Sequence, residues 1–571
     1  MDGVDTVQPL DAAQRRSDLD RMRGEEFDIV VIGGGVTGAG VALDAATRGL
    51  SVALVEQRDF AAGTSSRSSK LFHGGLRYLE QLELGLVTEA LHERNLMIDR
   101  LCPHLARPVT FLYPLTRRVW ERAYVGAGIA LYDVLAALGS NPLPRHRHLS
   151  KRAALRLVPS LRDDVLTGAI TYSDAQVDDA RHTLALVRTA HHHGAAVAAS
   201  VQVVGLLRDG DRVTGVRARD VETGDELDIR ARQTVNATGV WTDEVQDMAG
   251  GAALRVRASK GVHLVVPCDR IDAGAGLICR TATSVLFVIP WGDFWLVGTT
   301  DTDWNLDLAH PAASATDVDY LLGQANRWLR PALTHADIVG VYAGLRPLLH
   351  GESDSTSKLS REHAVTTVAP GLLSVAGGKY TTYRVMAADA VDAAVAALGR
   401  RAPASCTESV PLVGATGFEA MRNRREHLAE ISGMPVERID RLLGRYGAEL
   451  PVLLDLLADE PELARCLPGT DDYLGAEVRF AVTHEGALHL NDVLTRRTRL
   501  SIETPDRGVG AAPVVARIMA DALGWDDATI AREVDSYEKR VEAERESQQA
   551  VDDHTADARR LGAEDVRGTL E

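Results

Sequence analysis

One short stretch near the N-terminus constrains the fold more than any other. Residues 27–32, FDIVVI, form an apolar run that leads directly into the glycine-rich turn Gly33-Gly34-Gly35-Val36-Thr37-Gly38. A run of small residues typical of a helix follows, and then a second apolar run, SVALVEQ. This order predicts a βαβ unit over residues 27–57, in which the glycines let the backbone approach a pyrophosphate at the helix N-terminus. The chain is therefore predicted to bind a dinucleotide.

An acidic residue at the end of the second strand narrows the choice of dinucleotide. Glu56 stands 21 residues after Gly35, where its carboxylate can accept hydrogen bonds from both adenosine ribose hydroxyls and disfavours a 2′-phosphate. A second strand-GxGxxG-helix unit is absent from the sequence, and Thr238-Gly239 closes a later strand in the manner of an FAD domain. We therefore expect FAD as the only dinucleotide, reduced directly by a small organic substrate.

Length and composition predict a multidomain protein. The chain has 571 residues, 45% of them hydrophobic and 25% charged, which is enough to bury two or three cores. Its net charge of −17 argues against a nucleic-acid partner, because a phosphate backbone requires a positive field. Five cysteines lie far apart without a CxxC pair, so neither a disulfide framework nor a metal site is expected.

Sequence patterns divide the chain into four parts. Residues 1–24 are predicted to be a disordered leader, and residues 547–571 a flexible tail. Between them we expect an α/β FAD-binding domain at residues 25–400, interleaved with an antiparallel substrate domain at roughly 100–165 and 246–340. Helical stretches after residue 410 predict a C-terminal all-α domain over residues 401–546.

One region is unusually basic. Between Arg94 and Arg162 there are 12 Lys or Arg against 3 Asp or Glu. Residues 123–139 are apolar but too short to span a bilayer. They could instead form an interfacial helix held to anionic headgroups by the neighbouring arginines Arg117, Arg118, Arg122, Arg145 and Arg147. Because the N-terminus lacks the apolar core of an export signal, we expect a cytoplasmic protein.

Three further segments carry a family resemblance. They are TSSRSSKLFHGGLRYL at residues 64–79, GLRPL at residues 344–348 and GGKYTTYR at residues 377–384. Together with the glycine turn they resemble the FAD-dependent glycerol-3-phosphate dehydrogenases, and the resemblance runs from about residue 27 to 537. It implies an amine- and glycine-oxidase-like architecture, oxidation of sn-glycerol 3-phosphate at C2, and electron transfer to a quinone at the inner face of the cell membrane.

The resemblance also implies roles for individual residues. Arg346 joins Arg77, Tyr78, Arg361 and Lys379 as groups that hold the substrate phosphate, since guanidinium groups bind phosphate in a bidentate manner. His73 and His263 are both candidate bases for the C2 hydroxyl proton. The residues expected to contact FAD are Gly33, Gly35, Gly38, Glu56, Thr64, Ser65, Ser68, Ser69, Lys70, Leu71, Gly74, Gly75, Val203, Thr238, Gly239, Gly377, Gly378, Lys379 and Thr381.

Three alternatives stay open at this point. A glycerol-3-phosphate oxidase would use the same motifs but pass electrons to oxygen and produce hydrogen peroxide. An amino-acid or amine oxidase of the same architecture would need one arginine for a carboxylate, whereas this chain offers several cations. A binding or scaffold protein would hold FAD without a substrate that reduces it. The C-terminal helices could cap the FAD domain, bind a partner or form a homodimer.

Overall fold

The computed structural model describes residues 7–75, 83–117, 120–137, 143–251, 253–281, 285–350 and 362–568. Its strands are β1 Glu26–Ile32, β2 Val52–Val55, β3 Leu71–Phe72, β4 Ala106–Leu115, β5 Arg147–Ser150, β6 Gly168–Val177, β7 Ala196–Ala198, β8 Val201–Asp209, β9 Arg212–Asp220, β10 Glu226–Asn236, β11 Val256–Pro267, β12 Gly276–Arg280, β13 Val285–Trp291, β14 Phe294–Gly298, β15 Thr302–Trp304, β16 Gly340–Leu349, β17 His363–Ala369 and β18 Leu372–Gly377.

Helices lie between some of these strands, and the C-terminal part of the chain is helical. They are α1 Ala12–Gly24, α2 Val36–Thr47, α3 Leu84–Leu96, α4 Trp120–Ala136, α5 Lys151–Leu157, α6 Asp179–His192, α7 Thr242–Met248, α8 Ala315–Ala325, α9 Tyr383–Leu398, α10 Phe418–Asn423, α11 Arg425–Ser432, α12 Val436–Tyr446, α13 Leu450–Asp459, α14 Gly475–Thr483, α15 Leu490–Asp492, α16 Leu500–Glu503, α17 Ala512–Leu523, α18 Asp527–Ser547 and α19 Asp553–Arg560.

The first sheet is the predicted nucleotide-binding layer. Its strands run in the order β17-β18-β10-β1-β2-β7; in addition, β9 pairs with β10, and β8 pairs with β9. Strand β1 lies parallel to both β2 and β10. Residues of β1 and β2 are almost all buried, as expected for central parallel strands covered on both faces. The βαβ unit over residues 27–57 is confirmed.

The second sheet is largely antiparallel and is covered on both faces. It runs β15-β11-β14-β13-β12-β4-β6-β3, with β16 paired to β11 and β5 to β6. Alternate residues of β11 enter different cores. Val262, Leu264 and Val266 pack towards α8, whereas Val265 packs towards α4. His263 shares the face of Val265, because side chains alternate along a strand.

Helices α10 to α19 form the C-terminal domain. One apolar core gathers residues of α10 to α14, and a second gathers residues of α14, α15, α17 and α18. The predicted architecture is therefore confirmed: an α/β nucleotide-binding domain, an antiparallel sheet domain and a C-terminal all-α domain.

The N-terminal leader is not disordered in the part that the structure describes. Helix α1 spans residues 12–24, and Leu19 and Met22, one helical turn apart, are buried in the core of the first sheet. Arg15 also pairs with Asp220 at 2.7 Å. Because only two apolar side chains of this helix are buried, its sequence lacks the apolar stripe that predicts a packed helix. The prediction of a disordered leader was therefore wrong for the described residues.

The tail is likewise ordered up to residue 568. Helix α19 follows α18, and Ala550 and Ala556 are buried. The charged residues that suggested a flexible tail have specific partners, because Asp553 accepts a hydrogen bond from Lys260 and Arg567 pairs with Asp492 at 2.9 Å. The prediction of a flexible tail is corrected by these tertiary ion pairs.

A buried histidine joins the C-terminal domain to the first sheet. His489 Nε2 lies 3.0 Å from Glu222, in the turn after β9, and Nδ1 lies 2.9 Å from Glu533 in α18. Burial alone would lower the pKa of His489, but its hydrogen bonds to the two carboxylates raise the pKa to about 9. Both ring nitrogens can donate only when the imidazole is protonated.

We expect this histidine to make stability depend on pH. Because the folded-state pKa is raised, its contribution is complete below the unfolded value of 6.5 and is lost as pH rises through about 9. Thermal denaturation midpoints of the wild type should therefore fall across that range, and those of His489→Gln should fall less. His335→Gln, at an exposed pair with Asp319, serves as the control and should keep the wild-type slope. Equal slopes in His489→Gln and the wild type would contradict the assignment.

Candidate functional site

The glycine turn packs directly against the end of a neighbouring strand. Gly33 has a φ of +106°, and a Cβ there would lie 2.8 Å from the carbonyl oxygen of Ala237. A Cβ on Gly38 would lie 1.9 Å from the carbonyl oxygen of Gly33. Only glycine fits either position. The turn therefore brings the start of α2 close to the ends of β1 and β10.

The start of α2 suits an anionic group. Gly35 is its N-cap residue and supplies no side-chain cap, so the positive end of the helix dipole faces the turn. Beside it, Glu56 accepts hydrogen bonds from the N–H groups of Gly34 at 2.7 Å and Arg58 at 2.9 Å. Burial raises the pKa of Glu56, and these two N–H groups partly offset that effect. Each carboxylate oxygen keeps a second lone pair that a ribose hydroxyl can use.

Residues 64–71 bring the expected cofactor contacts next to α2. Ser65 Oγ accepts from the Val36 N–H at 2.9 Å, and Thr64 Oγ1 donates to the Leu345 carbonyl. Ser68 donates to Asp179 through both its N–H at 2.9 Å and its hydroxyl at 2.7 Å. The resemblance implies that these residues contact FAD, and in the described structure their hydroxyl groups also hold the loop itself. The backbone and the remaining acceptor sites of the loop are left to contact a ligand.

The side chain of Lys70 is also part of this internal support. Its ammonium group is fully buried and donates to Asp179 at 2.7 Å and to the Ser66 carbonyl at 3.1 Å. Burial, and then the nearby charge of Arg499, lower the pKa of Lys70. The next residue, Leu71, begins β3, which pairs with β6. Lys70 thus fixes the course of the chain between the glycine turn and the second sheet.

The other predicted cofactor residues lie at turns that end strands of the first sheet. Thr238 Oγ1 donates to Asn236 at 2.7 Å, and Gly239 has a φ of +61°. Gly377 and Gly378, with φ values of +79° and +74°, connect β18 to the turn that starts α9. Val203 lies in β8 beside Ala218 and packs partly against the core.

A short turn before α9 reaches the HGG segment. Thr381 accepts from the His73 N–H at 3.2 Å and donates to the His73 carbonyl at 3.3 Å, and Lys379 directly precedes this turn. Gly74 donates to the Tyr132 hydroxyl at 2.9 Å, and Gly75 has a φ of +77°. Residues 73–75 and 377–381, which are far apart in sequence, therefore meet at one place.

The strongest candidate for a substrate surface is one face of the β11 and β16 pair. Ser259 stands opposite Arg346, Gly261 opposite Gly344 and His263 opposite Tyr342. A Cβ on Gly261 would lie 2.6 Å from Arg346 Nη2, so the guanidinium extends across this glycine. A Cβ on Gly344 would lie 2.6 Å from the carbonyl oxygen of Arg67, so the paired glycines let the cofactor loop and the guanidinium approach the sheet between the cation and the imidazole.

Hydroxyl groups and one carboxylate hold the Arg346 guanidinium in place. It donates to Thr299 Oγ1 at 3.2 Å and to Ser259 Oγ at 3.4 Å, and Asp301 lies 3.6 Å away. Its side chain remains 25% exposed, so it can still meet a ligand. Ser259, Thr299 and Asp301 were missed by sequence reasoning, although Ser259 precedes His263 by four residues and strand alternation would have placed both on one face.

His263 connects this face to the cofactor loop. Its Nε2 lies 2.9 Å from Ser69 Oγ, its ring stacks on Tyr342 at 4.8 Å, and it is buried. Burial, and then the positive charges of Arg346 and Lys70, lower the pKa of His263 well below its usual value. The imidazole is therefore neutral at physiological pH and can accept a proton.

Three predicted substrate residues, Arg77, Tyr78 and Arg361, lie outside the described residues. The loop 64–71 contacts two groups of predicted residues. One surrounds the glycine turn with the N-terminus of α2 and a carboxylate and is reached by Ser65, and the other carries Arg346 and His263 and is reached by Ser69. The first group fits an FAD pyrophosphate and ribose, because it combines glycine spacing, helix-end N–H groups and an acid.

Matches to known protein families divide the chain into an FAD-binding part and a C-terminal part. Residues 28–384 match the family described as FAD dependent oxidoreductase, and residues 405–530 match the C-terminal domain of alpha-glycerophosphate oxidase. A glycerol-3-phosphate dehydrogenase of Mycobacterium leprae is 57% identical over 559 residues, covering 98% of this chain and 95% of that protein.

Solved structures are similar over the same region. The glycerol-3-phosphate dehydrogenase of Bacillus halodurans, complexed with FAD, superposes with a TM-score of 0.77 at 29% identity, covering 95% of this chain and 99% of that one. An L-alpha-glycerophosphate oxidase of Mycoplasma pneumoniae shares the fold at 18% identity and a TM-score of 0.54, covering 68% of this chain and 99% of that one. The chain belongs to the FAD-dependent oxidoreductases and, within them, to the glycerol-3-phosphate dehydrogenases.

Proposed function

We propose that this protein oxidises sn-glycerol 3-phosphate to dihydroxyacetone phosphate by hydride transfer from C2 to flavin N5, and that a membrane quinone receives the electrons. The observation that carries the proposal is the shared face on which Arg346 and His263 lie, joined to the cofactor loop through Ser69. An anion-binding group and a proton acceptor thus lie on one face of the sheet, beside the cofactor loop.

Arg346 binds the substrate phosphate in this proposal. Thr299 and Ser259 orient the guanidinium, and Asp301 lies 3.6 Å from its Nη1. A planar guanidinium can present two parallel donors to a phosphate, which fixes the position of the rest of the substrate. Arg77, Tyr78, Arg361 and Lys379 remain the further groups proposed for the same phosphate.

His263 is the base that we assign to the C2 hydroxyl. Its pKa is low because it is buried near two cations, so it is unprotonated before the substrate binds. A bound phosphate dianion would partly neutralise Arg346 and thereby raise the proton affinity of His263. Ser69 holds the ring through Nε2, and Nδ1 is buried without a hydrogen-bond partner among the described residues. His73, whose backbone is held by Thr381, stays the alternative base.

FAD, when bound, supplies the hydride acceptor. The chain's own part is to hold it: Gly33, Gly35 and Gly38 admit the pyrophosphate, and Glu56 accepts from the ribose. The turn at Gly377 and Gly378 directs the N-terminus of α9 towards the residues around His73, where a helix dipole would favour negative charge on a reduced ring.

An exposed apolar strip on α4 supports attachment to a membrane surface. Trp120, Tyr124, Leu131 and Val134 are 63%, 47%, 39% and 59% exposed, and their spacing places them on one side of the helix. Trp120 and Tyr124 stack at 5.4 Å. Exposed arginines stand nearby at Arg117, Arg145 and Arg147. Across the described ranges, none of the helices is both long and apolar enough to cross a bilayer.

The rival substrates fit this site less well. An amino acid would present its carboxylate to one arginine and its ammonium group to an acidic acceptor. The face beside Arg346 offers hydroxyl groups, and its one nearby carboxylate, Asp301, is already paired with Arg346. An oxidase that uses oxygen would share every substrate contact, so only the electron acceptor separates it from the proposed dehydrogenase.

Replacing Arg346 should separate substrate binding from cofactor binding. We expect Arg346→Ala to retain FAD but to lower kcat/KM at least about 100-fold, because a charged hydrogen bond to the phosphate is lost and each tenfold corresponds to about 1.4 kcal/mol. Arg346→Lys should recover only part of the activity, since a lysine lacks the planar pair of donors. Arg217→Ala, at an exposed pair with Asp228, is the control. Wild-type turnover in Arg346→Ala would remove the proposed role.

The strip on α4 should control vesicle binding. We expect the wild type to bind vesicles rich in phosphatidylglycerol at low salt and to be released at high salt, because arginines and interfacial aromatic side chains act together. Trp120→Ser combined with Tyr124→Ser should weaken binding without changing flavin reduction by the substrate. Tyr320→Ser, at an exposed tyrosine on α8, should bind as the wild type does.

The same vesicles can carry ubiquinone as the electron acceptor. Quinone reduction in proportion to substrate oxidised, with little hydrogen peroxide, is the expected result. Peroxide formed in proportion to substrate under air, without quinone reduction, would replace the dehydrogenase proposal by the oxidase. Equal binding of the wild type and the double variant to vesicles would contradict the role of α4.

A further inference from the structure

A cavity lies between the cofactor loop and the C-terminal domain. Its volume is about 80 Å³, and it is lined by residues of the loop at Ser66 and Arg67, by β16, and by residues of α18 and α19. Gly33, Glu56, His263 and Arg346 are not among the residues that line it. This cavity is therefore distinct from the site described above, and it shares with that site the loop 64–71 and Tyr342 of β16.

The cavity has more positive than negative charge. Arg67, Arg540 and Arg560 line it together with one carboxylate, Glu544. Arg540 donates to Glu544 at 2.9 Å, and Arg560 Nη2 lies 3.7 Å from the same carboxylate. Arg507 approaches Glu544 from outside the lining at 3.9 Å. A single carboxylate is thus shared among several guanidinium groups.

Arg67 has the weakest compensation of the three. Its guanidinium donates to the carbonyl of Ala309 at 3.3 Å and makes no ion pair with a described residue. Two other arginines of the lining are already neutralised, since Arg496 pairs with Asp59 and Arg499 with Asp179. Among the lining residues these three guanidinium groups face one carboxylate, and Asp307 and Asp565 add negative charge from outside the lining, so positive charge predominates in the lining itself.

Buried donors in the cavity also lack partners. Arg560 is only 3% exposed, and its Nη1 is buried without a hydrogen-bond partner among the described residues. The Nε of Arg540 is in the same condition. An unsatisfied buried donor costs free energy comparable to a lost hydrogen bond, and more when the group is charged. An anion in the cavity would satisfy these donors and the excess charge together.

The pKa values of Arg67 and Arg560 agree with a shortage of negative charge around them, whereas Glu544 raises the pKa of Arg540 in spite of its burial. Burial, and then the charges of Arg540 and Arg58, lower the pKa of Arg67 to about 9. Burial also lowers the pKa of Arg560, to about 10, although Glu544 partly opposes the effect. His310, beside Arg560, has its pKa lowered well below the usual value by burial and then by Arg560, so it adds no charge.

We infer that this cavity is a binding site for a small phosphate-bearing dianion, held by Arg67, Arg540 and Arg560. An anion matches the predominance of positive charge in the lining, and guanidinium forks match the geometry of phosphate oxygens. The cavity volume of about 80 Å³ suits an anion of the size of inorganic phosphate. Because Arg67 belongs to the cofactor loop and the other two arginines to α18 and α19, the bound anion ties the C-terminal helices to that loop.

The test uses the FAD-loaded Arg346→Ala protein, so that phosphate binding at the proposed substrate site is weakened. Inorganic phosphate is expected to raise its thermal denaturation midpoint by several degrees beyond sodium chloride of equal ionic strength, because a ligand that binds only the folded state stabilises it. Adding Arg67→Gln or Arg560→Gln should abolish that rise, and adding Arg217→Gln should not. Pyrophosphate and sulfate run in parallel distinguish a phosphate-specific site from a general one for dianions.

A second readout protects against variants that simply fold poorly. Without phosphate, Arg67→Gln in the otherwise wild-type protein should be as stable as the wild type or more stable, since it removes an uncompensated charge, and it should keep flavin reduction by the substrate. The inference is overturned if phosphate stabilises the Arg346→Ala protein no more than chloride does, or if Arg67→Gln and Arg560→Gln keep the full phosphate effect. Failure of the substrate proposal would appear separately, as unreduced flavin in the wild type.

Discussion

The buried carboxylate of Asp179, at the start of α6, joins the cofactor loop and the C-terminal domain to the first domain. Asp179 accepts from Lys70 at 2.7 Å and from Arg499 at 2.7 Å through one oxygen, and from Ser68 through the other. Lys70 belongs to the cofactor loop, Arg499 to the C-terminal domain and Asp179 to the first domain. All three side chains are buried, so removal of any one would leave an uncompensated charge in the interior.

The position of the cofactor loop depends on this cluster, and the loop serves three neighbours. Ser65 meets the start of α2, Ser69 meets His263 and Arg67 enters the cavity between the domains. Successive side chains of one short segment therefore contact the cofactor turn, the substrate face and the C-terminal helices. Any ligand that changes the environment of Arg67 acts on a segment that also orients the proposed base.

Local patterns were enough to predict the architecture, because the features that define it lie close together in sequence. The glycine turn and Glu56 are recognised by their spacing in the sequence. The antiparallel strands are recognised by the alternation of apolar and polar residues. The leader and the tail were misjudged because distant partners hold them: Leu19 and Met22 pack on the first sheet, and Asp553 binds Lys260. No local pattern reports such contacts.

The site was predictable in its residues but less so in their tasks. Arg346 and His263 were named from a resemblance, and the pairing of β11 with β16 then placed them on one face. The sequence did not indicate that the hydroxyl groups of Thr64, Ser65 and Ser68, expected to contact FAD, also hydrogen-bond to Leu345, Val36 and Asp179, because those partners are distant in sequence. The sequence did not indicate a role for Arg67, because Arg540 and Arg560, which line the cavity with it, follow about 470 and more positions later.

The central claim is that this FAD is reduced by sn-glycerol 3-phosphate bound beside Arg346 and His263. Anaerobic titration of the FAD-loaded protein, followed by the absorbance of the oxidised flavin, tests it most directly. We predict loss of that absorbance in proportion to sn-glycerol 3-phosphate added, with no loss on addition of glycerol or glycine at the same concentrations. Flavin that stays oxidised with sn-glycerol 3-phosphate, or that glycine reduces equally well, would contradict the account.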